Sequence, residues 1–82
     1  MYFVYIIKSI GRNYIYKGIT HNIDKRLAEH ESGQNSSTKG KAPFDLIHVE
    51  VCGDRKEARK FERFYKSGWG REIITEILSE RF

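Results

Sequence analysis

Two short runs of β-branched and aromatic residues, residues 3–9 (FVYIIKS) and 14–19 (YIYKGI), open the chain on either side of a four-residue turn, IGRN at 10–13. Such runs fill a pleated, half-buried surface, and the Gly-Arg-Asn turn chemistry between them is short enough to join only antiparallel neighbours. An N-terminal hairpin is therefore the first unit of the fold. Its apolar faces must be covered, so the rest of the chain has to supply the covering layer.

The following segments do so. Asn22 is placed to cap a helix in which Ile23 and Leu27 form an apolar i,i+4 pair, and Gly33 stops it. Residues 31–43 (ESGQNSSTKGKAP) are polar and small and read as the only long, flexible loop. Residues 44–52 alternate, with Ile47, Val49 and Val51 predicted on one face and Leu46, His48 and Glu50 on the other, as in a half-buried strand. Gly53 and Asp54 then break the chain, and Asp54 with Glu57 starts a second helix running to about Ser67, with Ala58, Phe61 and Tyr65 toward the core. Gly68 ends it. A third helix over 72–81 turns Ile73, Ile74, Ile77 and Leu78 to one side and Glu72, Glu76 and Glu80 to the other. The predicted order is β-β-α-β-α-α: an α+β domain with a three-stranded antiparallel sheet flanked by helices.

Length limits this to a single domain, 1–82, with a thin core. Lys and Arg outnumber Asp and Glu by 15 to 11, a net charge of +4 that favours polyanions such as nucleic acid or an anionic surface. Cys52 is the only cysteine, which excludes an intramolecular disulfide and a thiolate metal cluster and fits a reducing cytoplasm. No apolar stretch has the length of a signal peptide core or a membrane span, so no membrane role is expected.

Hydrolysing a phosphodiester requires a deprotonated water, a cation to meet phosphoryl charge and stabilisation of the leaving oxygen. A divalent metal supplies the last, and Mg²⁺ commonly takes only one or two protein carboxylates. Tyr5 and Tyr16 lie in the middle of the two hairpin strands. Arg26 and His30 share one helix face at the edge of the core. Glu62 directly follows core-facing Phe61, a boundary position from which a carboxylate reaches a cleft. Taken singly, each has an ordinary structural role: a strand tyrosine packs, and helix-surface charges solvate.

Their order changes the weighing. Phe3-Val4-Tyr5 followed by Tyr16-Lys17-Gly18 resembles the paired tripeptides of the GIY-YIG nuclease superfamily. Arg26, within Asn22-Ile23-Asp24-Lys25-Arg26-Leu27, resembles that family's helix-borne arginine. His30 stands where the family often has Tyr or His, and Arg59-Lys60-Phe61-Glu62-Arg63 resembles its glutamate helix. The stretch Ser37-Thr38-Lys39-Gly40 is similar to the loop of the small stand-alone bacterial members, and the match runs from about Met1 to Lys66.

The resemblance implies a metal-dependent endonuclease acting on DNA, including structured or single-stranded DNA, with Mg²⁺ or Mn²⁺ held by Glu62. Tyr16 would take or relay the proton of the attacking water; a phenol ordinarily titrates near 10, so it needs positive charge beside it. Tyr5 would hydrogen-bond the water or the phosphate, Arg26 would clamp the phosphate and His30 would orient it. Gly18 would allow close approach, with Lys17, Lys39 and Lys41 as further substrate contacts. The sequence departs from the family in two ways. Phe3 and Lys17 replace motif residues, and Ser67-Gly68-Trp69-Gly70-Arg71 lacks the asparagine many active members carry. That absence supports an alternative, a nucleic-acid-binding module of the same fold that cuts poorly or not at all.

Overall fold

Side-chain alternation in the first strand decides how the layers form. In the computed structural model, which describes residues 1–81, β1 (Tyr2–Ser9) is the central strand of an antiparallel sheet ordered β2-β1-β3. β2 (Ile15–Thr20) and β3 (Phe44–Cys52) pair with its two sides. Pairing on both sides and cover on both faces leave Val4, Tyr5, Ile6 and Ile7 fully buried. The helices are α1 (Ile23–Glu31), α2 (Arg55–Lys66) and α3 (Gly68–Arg81). The predicted order and fold class are those observed.

Val4 and Ile6 point to one face, where they join Ile47, Cys52, Ala58, Tyr65 and Ile74 in a core beneath α2 and α3. Burying each of the larger aliphatic side chains contributes about 1.5–3 kcal/mol. Tyr5 points to the other face, toward α1. Period-two geometry thus sorts neighbouring residues of β1 into a structural layer and a polar one.

The third strand departs from simple alternation. Ile6 pairs with His48 but Ile7 pairs with Leu46, so Ile47 is an extra residue in a β-bulge. The bulge puts Ile47 in the core with Ile6, and His48 and Glu50 also face α2, where both contact Tyr65. Val49 and Val51 pair with Tyr5 and Phe3 on the opposite face. The expected faces are therefore corrected at two positions: Ile47 joins His48 and Glu50 on the core face, and Leu46, opposite Ile7, joins Val49 and Val51.

Helix starts follow the expected caps. The Asn22 side chain accepts from Lys25 N at 3.1 Å, and Asp54 Oδ1 accepts from Glu57 N at 2.7 Å. The third helix begins earlier than its periodicity indicated, at Gly68. Ser67 supplies the start: its carbonyl accepts from Arg71 N and its hydroxyl from Gly70 N. A Cβ on Gly70 would collide with the carbonyl of Phe64, so this glycine is a packing residue where α3 turns against α2. No helix among the described residues is long and apolar enough to cross a membrane.

Candidate active site

The register of the hairpin builds the site. Tyr5 lies opposite Gly18, and Ile7 opposite Tyr16, so both tyrosines rise from the same face of adjacent strands. Their ring centroids are 6.2 Å apart. The Tyr5 phenol lies across Gly18: a Cβ there would sit 2.6 Å from the Tyr5 oxygen and 3.0 Å from Tyr16 Cε1. Glycine is required at this position for space, not for backbone conformation.

α1 lowers its last turn onto this pair. His30 is fully buried, its ring 5.0 Å from that of Tyr16 and 5.7 Å from that of Tyr5. His30 Nε2 is 2.7 Å from the Tyr5 hydroxyl, and its Nδ1 is 2.7 Å from Thr38 Oγ1. Thr38 is also fully buried, and its hydroxyl donates to the Asn35 carbonyl at 3.5 Å. With that donation made, the Thr38 oxygen accepts from Nδ1–H, leaving the Nε2 lone pair to accept the Tyr5 proton. A continuous chain of donors therefore runs from Tyr5 through His30 and Thr38 to a backbone carbonyl.

The environment keeps both titrating groups neutral. Burial raises the Tyr5 phenol above its ordinary range and Tyr16 adds to the rise, while the Arg26 guanidinium beside it works the other way. Burial also lowers His30, with Arg26 contributing in the same direction. A neutral imidazole accepting from a neutral phenol is the arrangement these shifts favour.

Arg26 completes the polar face. It holds Glu29 through one terminal nitrogen at 3.3 Å, while its Nε is buried and has no hydrogen-bond partner among the described residues. A buried donor without an acceptor is costly, so the Tyr5 oxygen beside it, a water or a ligand atom has to meet this nitrogen. Two surface hollows, of about 300 and about 150 Å³, open on either side of Arg26 and Glu29.

The loop expected to be flexible is pinned. Thr38 N and Ser37 N bond to Asn35, Lys41 N bonds to the Thr38 carbonyl, and the Tyr14 hydroxyl reaches the Ser37 carbonyl at 3.0 Å. Lys41 Nζ stands 4.7 Å above the Tyr14 ring. Lys39 is exposed on the same loop. Thr38 and Glu29 are the members of this cluster that sequence reasoning left without a role. Neither has a local signature, because each is recruited by a partner from packing.

Two expected residues stand apart. Lys17 pairs with Ile6 across the ladder and so points to the α2 side of the sheet, where nearby Arg71 and Lys66 join burial in lowering its pKa. Glu62 lies on α2, half-buried, with its carboxylate 3.5 Å from Lys66 Nζ in a surface hollow of about 310 Å³ shared with Arg59 and Arg63. It makes no hydrogen bond to Tyr5, Tyr16, Arg26 or His30 among the described residues. α2 nevertheless packs across β2, the strand that carries Tyr16.

This constellation has relatives. The family model described as the GIY-YIG catalytic domain matches residues 1–71. The chain belongs to the GIY-YIG family. That places it in a nuclease family whose members generally use divalent metals and act on nucleic acid. Among curated proteins, the chain is 33% identical over 67 residues to the UPF0213 protein of Natronomonas pharaonis, covering 80% of this chain and 78% of that one. It is 31% identical over 81 residues to that of Staphylococcus haemolyticus, covering 98% and 96%. It is 38% identical to the UPF0213 protein of Photorhabdus laumondii, spanning 72% of this chain and 57% of that longer one. The solution NMR structure of a UPF0213 protein from Bacillus halodurans superimposes with a TM-score of 0.55 at 28% identity, covering 93% of this chain and 83% of that one.

Among the described residues, no group of three or more His, Cys, Asp or Glu could enclose an ion. One carboxylate beside open solvent would leave a divalent ion most of its waters and does not make a closed zinc cage, and Lys66, Arg59 and Arg63 crowd it with positive charge that an anionic strand would offset.

Proposed function

We propose that this GIY-YIG domain is a divalent-metal-dependent endonuclease that hydrolyses phosphodiester bonds in DNA, including structured or single-stranded DNA. The observation that carries the reading is the buried, unpartnered Nε of Arg26 beside the Tyr5–His30 pair. A phosphate oxygen supplies the missing acceptor, and the guanidinium plane then meets charge that builds on the phosphoryl group during attack.

The chain's own residues divide the work. Tyr5, fully buried with its proton held by His30, packs beside Tyr16 and fixes its orientation over Gly18. Tyr16, half-exposed beside it, relays the water's proton, passing its own phenol proton to solvent as it takes that of the water. Thr38 keeps His30 in the tautomer that this orientation requires. Glu62 would hold Mg²⁺ or Mn²⁺ after releasing Lys66; when bound, the ion stabilises the leaving oxygen. Lys39 and Lys41 contact flanking phosphates at the loop. The pairing of Glu62 with Lys66 and the missing asparagine favour the second reading, a module that holds nucleic acid without efficient cutting.

Incubating the protein with duplex, single-stranded and branched DNA in Mg²⁺, Mn²⁺ or chelator, beside Glu62→Ala and Tyr16→Phe, tests both. The expected result is cleavage that needs metal and is abolished in either variant. Cleavage surviving chelation or Glu62→Ala sinks the mechanism, and binding without cutting on every substrate selects the second reading.

A further inference from the structure

Six of the twelve residues of α2 are Lys or Arg: Arg55, Lys56, Arg59, Lys60, Arg63 and Lys66, and all six are exposed. At 100° per residue, Arg55, Lys66, Arg59 and Arg63 fall within an arc of roughly 80°, and Glu62 borders that arc on its core side. Along the helix axis the four extend about 16 Å. Among the described residues Arg55, Arg59 and Arg63 form no ion pair, and only Lys66 does, with Glu62. Like charges four apart on a helix repel, so this arrangement costs stability unless an anion lies against it. Lys17 on β2 leaves the sheet on the same side as α2, where burial first and then Arg71 and Lys66 lower its pKa.

We propose that this ridge is a phosphate rail, a second contact surface that grips the backbone of duplex DNA beyond the bond being cut. The proposal rests on the nuclease reading for its substrate but concerns a different face of the chain. Three observations give it direction. The 16 Å span corresponds to about five phosphates of one strand at 3.4 Å each. The rail runs past Glu62, the residue assigned to the metal, whose hollow Arg59 and Arg63 share. The arc holds no apolar side chain, and Phe64 lies roughly 100° further round α2 than Arg63, so the surface has cations to attract a bilayer but nothing to insert into one. Lys17 thereby gains a place in binding, on the rail and not beside the tyrosines.

The test separates the rail from the chemistry. Fluorescence anisotropy of a labelled 20-base-pair duplex, titrated with the full chain in chelator across a salt series, reads the number of phosphate contacts without cleavage. Arg59→Gln with Arg63→Gln should lower the slope of log K against log salt by about 2, at 0.9 per contact, and weaken binding equally across sequences. Arg12→Gln, in the β1–β2 turn and exposed, should leave the slope unchanged. An unchanged slope in the double variant overturns the rail, as does a wild-type chain that does not bind duplex. So does a double variant that loses binding to phosphatidylserine vesicles while keeping the full DNA slope. The two proposals fail separately. A rail-dependent slope without cleavage on any DNA removes only the nuclease, and metal-dependent cleavage with an unchanged slope removes only the rail.

Discussion

Tyr5 and Gly18 face each other across the β1–β2 ladder, and the phenol of one occupies the space a side chain on the other would need. The glycine of the second tripeptide is therefore part of the binding pocket of the tyrosine of the first. The two motifs are one packing unit.

Replacing Gly18 tests that unit. A Cβ 2.6 Å from the Tyr5 oxygen cannot be accommodated while Tyr5 keeps its bond to His30. Gly18→Ala should destabilise the fold by about 1–3 kcal/mol, as overpacking does, and lower cleavage more than binding. Urea unfolding and a comparison of cleavage with duplex affinity measure both; a variant with wild-type stability and cutting would remove the steric role.

Thr38 should act through His30. Thr38→Val keeps the shape but removes the acceptor of Nδ1–H, leaving a buried donor unpaired at a cost of about 1–3 kcal/mol. The imidazole is expected to shift toward the Nε2–H tautomer, visible in its ¹⁵N shifts, with cleavage falling and Thr38→Ser restoring both. An unchanged tautomer in Thr38→Val would show that Thr38 only fills space.

His30 makes the site acid-sensitive. Burial, then Arg26, lowers its pKa, so in acid the unfolded chain binds a proton that the folded chain resists. The stability this group contributes is complete above about pH 6.5 and declines as pH falls through the lowered folded value. Protonation also removes the acceptor for Tyr5. Stability and cleavage should therefore fall together below pH 6.5, and His30→Gln should flatten the stability profile in that window.

Tyr65 should govern the alkaline limb. Its phenol is pushed up to about 12, first by burial and then by Glu50, whose carboxylate accepts its proton at 3.2 Å. Because the folded pKa is raised, stability is complete below about pH 10 and is lost as pH climbs toward 12, by roughly 2–3 kcal/mol. Tyr65→Phe should be less stable at pH 8 by about 1 kcal/mol. It should also lose less on going to pH 11, which thermal unfolding at the two pH values reads directly.

Much of this was legible in order and spacing. The hairpin, the caps at Asn22 and Asp54, the Phe44–Cys52 strand and the element order all follow from local rules, because strand alternation and helix capping are decided within a few residues. The same alternation places Tyr16 and Lys17 on opposite faces of β2, as the register shows.

What the tertiary structure alone decided are the relations between elements. The bulge at Ile47 arises from fitting β3 against β1, and the early start of α3 from Gly70 packing on Phe64. The chain from Tyr5 through His30 to Thr38 joins residues 25 and 8 positions apart, spacings that no helix or strand period encodes. Outside that bulge, local sequence determines which face a side chain leaves from; only the packing of whole elements sets what it meets.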